Sequence, residues 1–143
     1  MVSTIEQCDA RFLNAASEVS AHMGVALNGR VHQYVIDQAA AWSNGPQYAG
    51  NAWSKLLGID RLENPNYYTL SIETEDLGTN APISSQQYRS TKALCRMWMK
   101  QHPSIKYLVA HRAISPTVCP APRWMDTGLF MRLAGELGLV AVP

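Results

Sequence analysis

The sequence predicts an α/β domain, a central mixed β-sheet flanked by helices, and three observations carry that prediction. An apolar-alternating segment runs into an Asn28-Gly29 turn and returns. A capped amphipathic helix fills residues 84–101. Short apolar strands alternate with further helical segments around both, and such alternation builds sheets covered by helices.

Taken in order, residues 4–13 read as a short helix with Ile5, Phe12 and Leu13 as core contacts. Val19, Ala21, Met23, Val25 and Leu27 share one face of a strand, because successive side chains alternate. Residues 30–37 form the return strand of the hairpin. Residues 43–66, rich in Gly, Asn and Pro, read as a long loop with one short helix around residues 52–57; long ordered loops tend to carry function. The next strand covers residues 67–75. Ser84 is then the N-cap of a helix whose Gln87 completes a capping box and whose entry Ile83 staples onto Tyr88. Tyr88, Thr91, Leu94, Cys95 and Trp98 line its inner face. Residues 105–111 are a short apolar strand, and residues 126–137 a last helix capped by Asp126.

Composition excludes several function classes. With 143 residues, 47% hydrophobic and 16% charged, the chain can bury a real core without staples. A net charge of +1 and scattered Lys and Arg give nucleic acid no basic surface to bind. No apolar run reaches the length of a membrane span, and the first residues lack the charged-then-apolar pattern of a secretory signal. Three cysteines, Cys8, Cys95 and Cys119, give no paired spacing, so a disulfide framework is not expected. Cys95 falls on a helix face as a small hydrophobe, whereas Cys119 lies in a proline-rich loop eight residues after a histidine.

That loop, YLVAHRAISPTVCPAPRW at residues 107–124, carries chemistry-bearing side chains. A strand delivers His111 at its end, and Pro116, Pro120 and Pro122 stiffen the return to Cys119. Imidazole nitrogen and thiolate are both zinc ligands. One His and one Cys at this spacing also suit a buried histidine and an inert thiol. The strand YYTLSIETE puts Thr69, Ser71, Glu73 and Glu75 on one face. Each carboxylate is either solvated or a general base; Glu75 lies nearer the loop, and Glu73 lies deeper, where a carboxylate needs a reason.

Together these segments resemble the zinc-dependent N-acetylmuramoyl-L-alanine amidases, a family that includes phage lysins and is related to peptidoglycan recognition proteins. Residues 19–22, Val-Ser-Ala-His ahead of the hairpin, resemble the family's "VSAH" strand, and Ala41-Trp42 its "AWHAG" stretch. Residues 66–73 resemble "N…SIGIE", and residues 111–120 resemble "HRDI…TxCP". Four matches in order and at sensible spacing cover nearly the whole chain.

The resemblance implies an enzyme that cuts the amide between N-acetylmuramic acid and L-alanine, with Zn²⁺ as cofactor and peptidoglycan, as a muropeptide, as substrate. It implies His111 and Cys119 as metal ligands, Glu73 as the base on water, Thr117 as a contact to the substrate carbonyl, and Trp42 as a wall of the glycopeptide groove. Two positions depart from the pattern. Ser43 stands where the groove motif has His, and Val2 stands where the family's first zinc histidine precedes "ST", here Ser3-Thr4. The expectation is thus one amidase-like domain over residues 1–143, lacking the N-terminal strand and first ligand. His22 is the candidate to complete the set; His32 and His102 read as structural. The implied setting is a phage-encoded lysin made in the host cytoplasm, or a virion component, with a phage particle or a wall-binding domain as partner. The alternatives are a degenerate, non-catalytic peptidoglycan-binding or phage structural module on this fold, and an unrelated α/β domain.

Overall fold

A computed structural model describes residues 4–45, 51–57, 64–78 and 81–143. The mixed sheet with flanking helices predicted from the sequence is present, and the chain divides into two compact units. The first comprises Met1–Ser43 with Asn64–Thr91, the second Asn44–Glu63 with Lys92–Pro143.

The first unit is built on a three-stranded sheet in the order β2-β1-β3. β1 (Met23–Val25) pairs antiparallel with β2 (Val31–Gln33) and parallel with β3 (Ile72–Thr74). All three residues of β1 are buried, as a strand with neighbours on both edges requires. The turn after β1 is a three-residue loop: Gly29 N–H donates to Ala26 O, and Ala26 N–H donates to Arg30 O, both at 2.9 Å. Gly29 takes φ +85°, which favours glycine, and this is the sequence's Asn-Gly signal at work.

Helix α1 (Ile5–Phe12) starts at a capping box, with Gln7 N–H donating to Thr4 Oγ1 at 3.2 Å and Thr4 N–H to Gln7 Oε1 at 2.9 Å. Its Ile5 and Cys8 bury against Ala26, with Phe12 and Tyr34 packed around them. Leu13, expected in the core, is 71% exposed because the helix ends at Phe12 and Leu13 only caps it.

Helix α3 (Ser85–Gln101) follows Ser84, whose Oγ accepts from Gln87 N–H at 3.0 Å. The fully buried Gln87 amide also donates to Val25 O and Glu75 O, each at 3.0 Å, at the ends of β1 and β3. Ser84 also donates to Leu27 O. Of the predicted inner face, Thr91, Leu94, Cys95 and Trp98 are buried and Tyr88 is half-buried.

The second unit holds α2 (Ala52–Leu57), within the long loop as predicted, and a parallel pair of β4 (Tyr107–Val109) and β5 (Val140–Val142). The predicted final helix is two helices. α4 (Pro122–Met125) ends on Asp126, whose N–H donates back to Pro122 O at 2.8 Å, and α5 (Leu129–Leu137) begins after Gly128 at φ +71°. Asp126 is thus a C-cap rather than the expected N-cap. Phe130, Leu133 and Ala134 of α5 are buried, and the helix packs on α4 and β5.

Candidate active site

In the second unit, β4 ends as Ala110 N–H donates to Val142 O at 2.8 Å, and the next residue, His111, opens a single 3₁₀ turn to Ala113. Ile114 N–H and Ser115 N–H both donate to His111 O, at 2.9 and 3.0 Å, so the histidine backbone is fixed. The proline-rich loop then folds back, and Arg112 N–H donates to Cys119 O at 2.7 Å. This brings the Cys119 backbone beside the residue next to His111, as the strand-then-loop pattern predicted. Thr117 Oγ1 accepts from Cys119 N–H at 3.3 Å, which bends the loop tip and leaves the hydroxyl proton available to donate.

The electrostatic condition of His111 suits a ligand. Burial holds its imidazole below the usual pKa, favouring the neutral form that metals bind. Its Nε2 is sealed from solvent and has no hydrogen-bond partner among the described residues. A buried polar atom without a partner costs about 1–3 kcal/mol, so its position calls for an explanation. A metal ion would supply the missing partner, and the half-buried Cys119, in no disulfide, is a second donor on the same loop. Among the described residues no group of three His, Cys, Asp or Glu side chains is placed to hold a metal. The donor set therefore fits zinc in kind but supplies two ligands. The expected departure at Val2 lies outside the described residues.

His22 does not complete the set. It is 1% exposed, and both ring nitrogens are engaged: Ser71 N–H donates to Nδ1 at 3.1 Å, and Nε2 lies 3.0 Å from Ala39 O. An accepting Nδ1 puts the proton on Nε2, which donates to the Ala39 carbonyl. Burial lowers its pKa as well. His22 is a tie inside the first unit, linking β1 to the segment before β3 and to the chain ahead of Trp42.

The other candidates lie in the first unit. Glu73 is the central residue of β3 and the register partner of Gly24 on β1. Burial is the largest influence on its carboxyl and raises its pKa; Arg11 pulls the other way, and Asp76 adds to the rise. Glu75 is committed elsewhere, its Oε2 accepting from Leu27 N–H at 2.8 Å. That contact accounts for Glu75 structurally and leaves Glu73 as the unexplained carboxyl. Trp42 is clamped through its backbone, with Trp42 N–H donating to Ser20 Oγ at 2.9 Å and Ser20 N–H to Trp42 O at 3.1 Å, while its side chain is 64% exposed. Ser43, the groove departure, donates its N–H to Asn66 Oδ1 at 3.2 Å.

Sequence reasoning missed one group. Asp9 of α1 accepts at a single oxygen from Tyr34 Oη at 2.7 Å and His32 Nδ1 at 2.8 Å. The period-two spacing of His32 and Tyr34 was the available signal; the helix partner across 23 and 25 positions had none.

Comparison with known proteins gives the chain its family. The chain matches the N-acetylmuramoyl-L-alanine amidase family over residues 2–122. It is 34% identical over 101 residues to the 1,6-anhydro-N-acetylmuramyl-L-alanine amidase AmpD of Haemophilus influenzae, covering 68% of this chain and 48% of that protein. The chain thus spans about half the length of the curated relative it matches. Among solved structures, the amidase AmiD from E. coli, in complex with anhydro-N-acetylmuramic acid-L-Ala-D-γ-Glu-L-Lys, superposes with a TM-score of 0.73 at 22% identity. That match covers 97% of this chain and 55% of AmiD. AmpDh3 from Pseudomonas aeruginosa, in complex with an anhydromuramic pentapeptide, gives a TM-score of 0.71 at 19% identity, with 97% and 56% covered. These two share the fold with this chain, and the sequence match supplies the kinship: the chain belongs to the N-acetylmuramoyl-L-alanine amidase family.

Proposed function

We propose that this chain hydrolyses the amide between the lactyl group of N-acetylmuramic acid and L-alanine in peptidoglycan fragments. The observation that carries the reading is the buried Nε2 of His111, without a partner among the described residues, on a loop that returns the Cys119 backbone to the neighbouring Arg112. His111 and Cys119 would hold zinc, and Val2 stands where the family's first histidine is expected. When bound, zinc lowers the pKa of water toward neutrality and polarises a carbonyl. We also read residues 1–143 as one amidase-like domain, since the family match runs through both units in sequence.

The chain's own residues then divide the work. Glu73, as carboxylate, takes a proton from the attacking water, and its raised pKa makes it a stronger base than a solvated carboxylate. The Thr117 hydroxyl donates a hydrogen bond to the carbonyl oxygen as negative charge gathers there. A neutral donor contributes less than a cationic one. Glu73 returns its proton to the leaving amine as the C–N bond breaks. Trp42 offers an exposed aromatic face to the glycan.

The test is Glu73→Gln assayed on zinc-supplemented protein with purified muropeptide. Hydrolysis should fall roughly 100- to 10,000-fold with the fold intact, because the amide keeps the shape and cannot take the proton. Glu75→Gln should retain activity at a modest cost in stability. Full activity in Glu73→Gln with loss in Glu75→Gln would overturn the assignment. A second reading, a peptidoglycan-binding module without catalysis, is favoured by the two-donor set among the described residues. Muropeptide binding in the zinc-supplemented chain without product release would select it.

A further inference from the structure

A row of residues crosses the sheet of the first unit at the level of Glu73. Gly24 is the register partner of Glu73 on one side and of His32 on the other. Register partners point to the same face, so Glu73, the bare Cα of Gly24 and His32 all face one way. Tyr34, two residues beyond His32, shares that face. Its phenol fills the space that Gly24 leaves: a Cβ on Gly24 would lie 2.7 Å from Tyr34 Oη and 2.9 Å from both Tyr34 Cε2 and Ile5 Cδ1. The hydroxyl of Tyr34 thus stands directly over the position next to Glu73.

Tyr34 is held there from three directions. Its Oη–H donates to Asp9 Oδ1 at 2.7 Å, and His32 steadies the same carboxylate oxygen from 2.8 Å. Phe12 meets its ring edge-on, with centroids 5.1 Å apart. Its N–H donates to His22 O at 2.9 Å. A phenol whose proton is committed to Asp9 presents only lone pairs to its other neighbours. Lone pairs accept from a carboxylic acid and repel a carboxylate.

We propose that Tyr34, locked by Asp9 and seated in the gap at Gly24, is a positioning residue for Glu73, its lone pairs on the same face of the sheet favouring the state that carries a proton. This rests on the reading of Glu73 as the acid–base group. Tyr34 would then assist the first half of the reaction, because a carboxylate that gains more from a proton is a stronger base toward the attacking water. Among the described residues, the charged groups that act on Glu73 are Arg11 from α1, which lowers its pKa, and Asp76 beyond its own strand, which raises it. The Glu73 charge in turn helps to push the Tyr34 phenol pKa up, after burial and Asp9, which puts the two groups within electrostatic reach.

The experiment is a carbon-13 titration of the Glu73 carboxyl in glutamate-labelled full chain, compared with Tyr34→Phe and Asp9→Asn. Tyr34→Phe keeps the ring and removes only the oxygen, and Arg11 and Asp76 are unchanged in it. The Glu73 midpoint should fall by about one pH unit in Tyr34→Phe and in the same direction in Asp9→Asn. With zinc and muropeptide, kcat should fall about tenfold at unchanged KM, and the acidic limb of the pH profile should move with the midpoint. A Tyr34→Phe protein that melts earlier but keeps the Glu73 midpoint and pH profile would overturn the proposal, leaving Tyr34 a packing residue. Should Asp9→Asn alone fold, its midpoint decides by the same criterion. An active Glu73→Gln would refute the catalytic reading separately, because the titration reads positioning without turnover.

Discussion

Burial lowers the pKa of both His22 and His111, yet the two rings are left in opposite states. His22 sits inside the first unit with a donor on one nitrogen and an acceptor on the other, so its burial is fully compensated. His111 closes a strand in the second unit with Nε2 sealed off and unmatched among the described residues. Depth of burial would rank His22 as the more unusual residue. Satisfaction of hydrogen bonds ranks them the other way, and it is the better guide, because an unmatched buried nitrogen is a cost that a fold tolerates for a ligand.

The sharpest way to break this comparison is metal binding. His111→Ala should weaken cobalt or zinc uptake by roughly 100-fold or more and, with cobalt, abolish any thiolate absorption from Cys119, while His22→Ala leaves uptake unchanged. Metal-site spectra in which His22→Ala removes a nitrogen ligand would reverse the roles assigned above. Next in size is stability without metal. His22→Ala strands the Ser71 amide and the Ala39 carbonyl and should cost about 2–4 kcal/mol in urea unfolding. His111→Leu removes an unmatched nitrogen and should stay within about 1 kcal/mol of the parent. Equal losses in the two variants would refute the distinction.

The smallest effect is in pH. A histidine with a lowered folded-state pKa contributes stability that is present above its unfolded pKa of about 6.5 and lost as pH falls through the folded value. Glu73 runs the other way. Its raised pKa contributes stability that is full below the unfolded value of about 4.3 and is lost as pH rises through the folded one. Unfolding followed across pH should therefore show His22→Ala flattening the loss below pH 6.5. Glu73→Gln should gain on the parent as pH rises above about 4.3. A Glu73→Gln difference that does not grow with pH would mean that the fold does not raise the carboxyl's pKa.

Much of this was legible in the sequence because it rests on local chemistry. Ser84, Asn28-Gly29 and the proline-stiffened run to Cys119 act over a few residues, and each produced the expected cap, turn or loop. Strand lengths were overstated because alternation persists where the ladder has ended: Val19 and Ala21 fit the β1 pattern but lie outside Met23–Val25. β5 went unrecognised because Val140–Val142 is only three residues long, and its strand character comes from pairing with β4. His22 was ambiguous because its partners, Ser71 and Ala39, lie 49 and 17 residues away. The Tyr34–Asp9 contact was invisible for the same reason.

Gln87 shows what such a distant partnership does to motion. Its amide spans the carbonyls of Val25 and Glu75, where the two parallel strands run out of mutual hydrogen bonds, and it stands in for one more rung of the ladder. Because that rung belongs to the first turn of α3, the helix start cannot fray without opening the sheet's end. The amide hydrogens of β1, β3 and residues 88–91 should then exchange with solvent as one cooperative block, and a Gln87→Glu carboxylate, unable to donate, would split it into two.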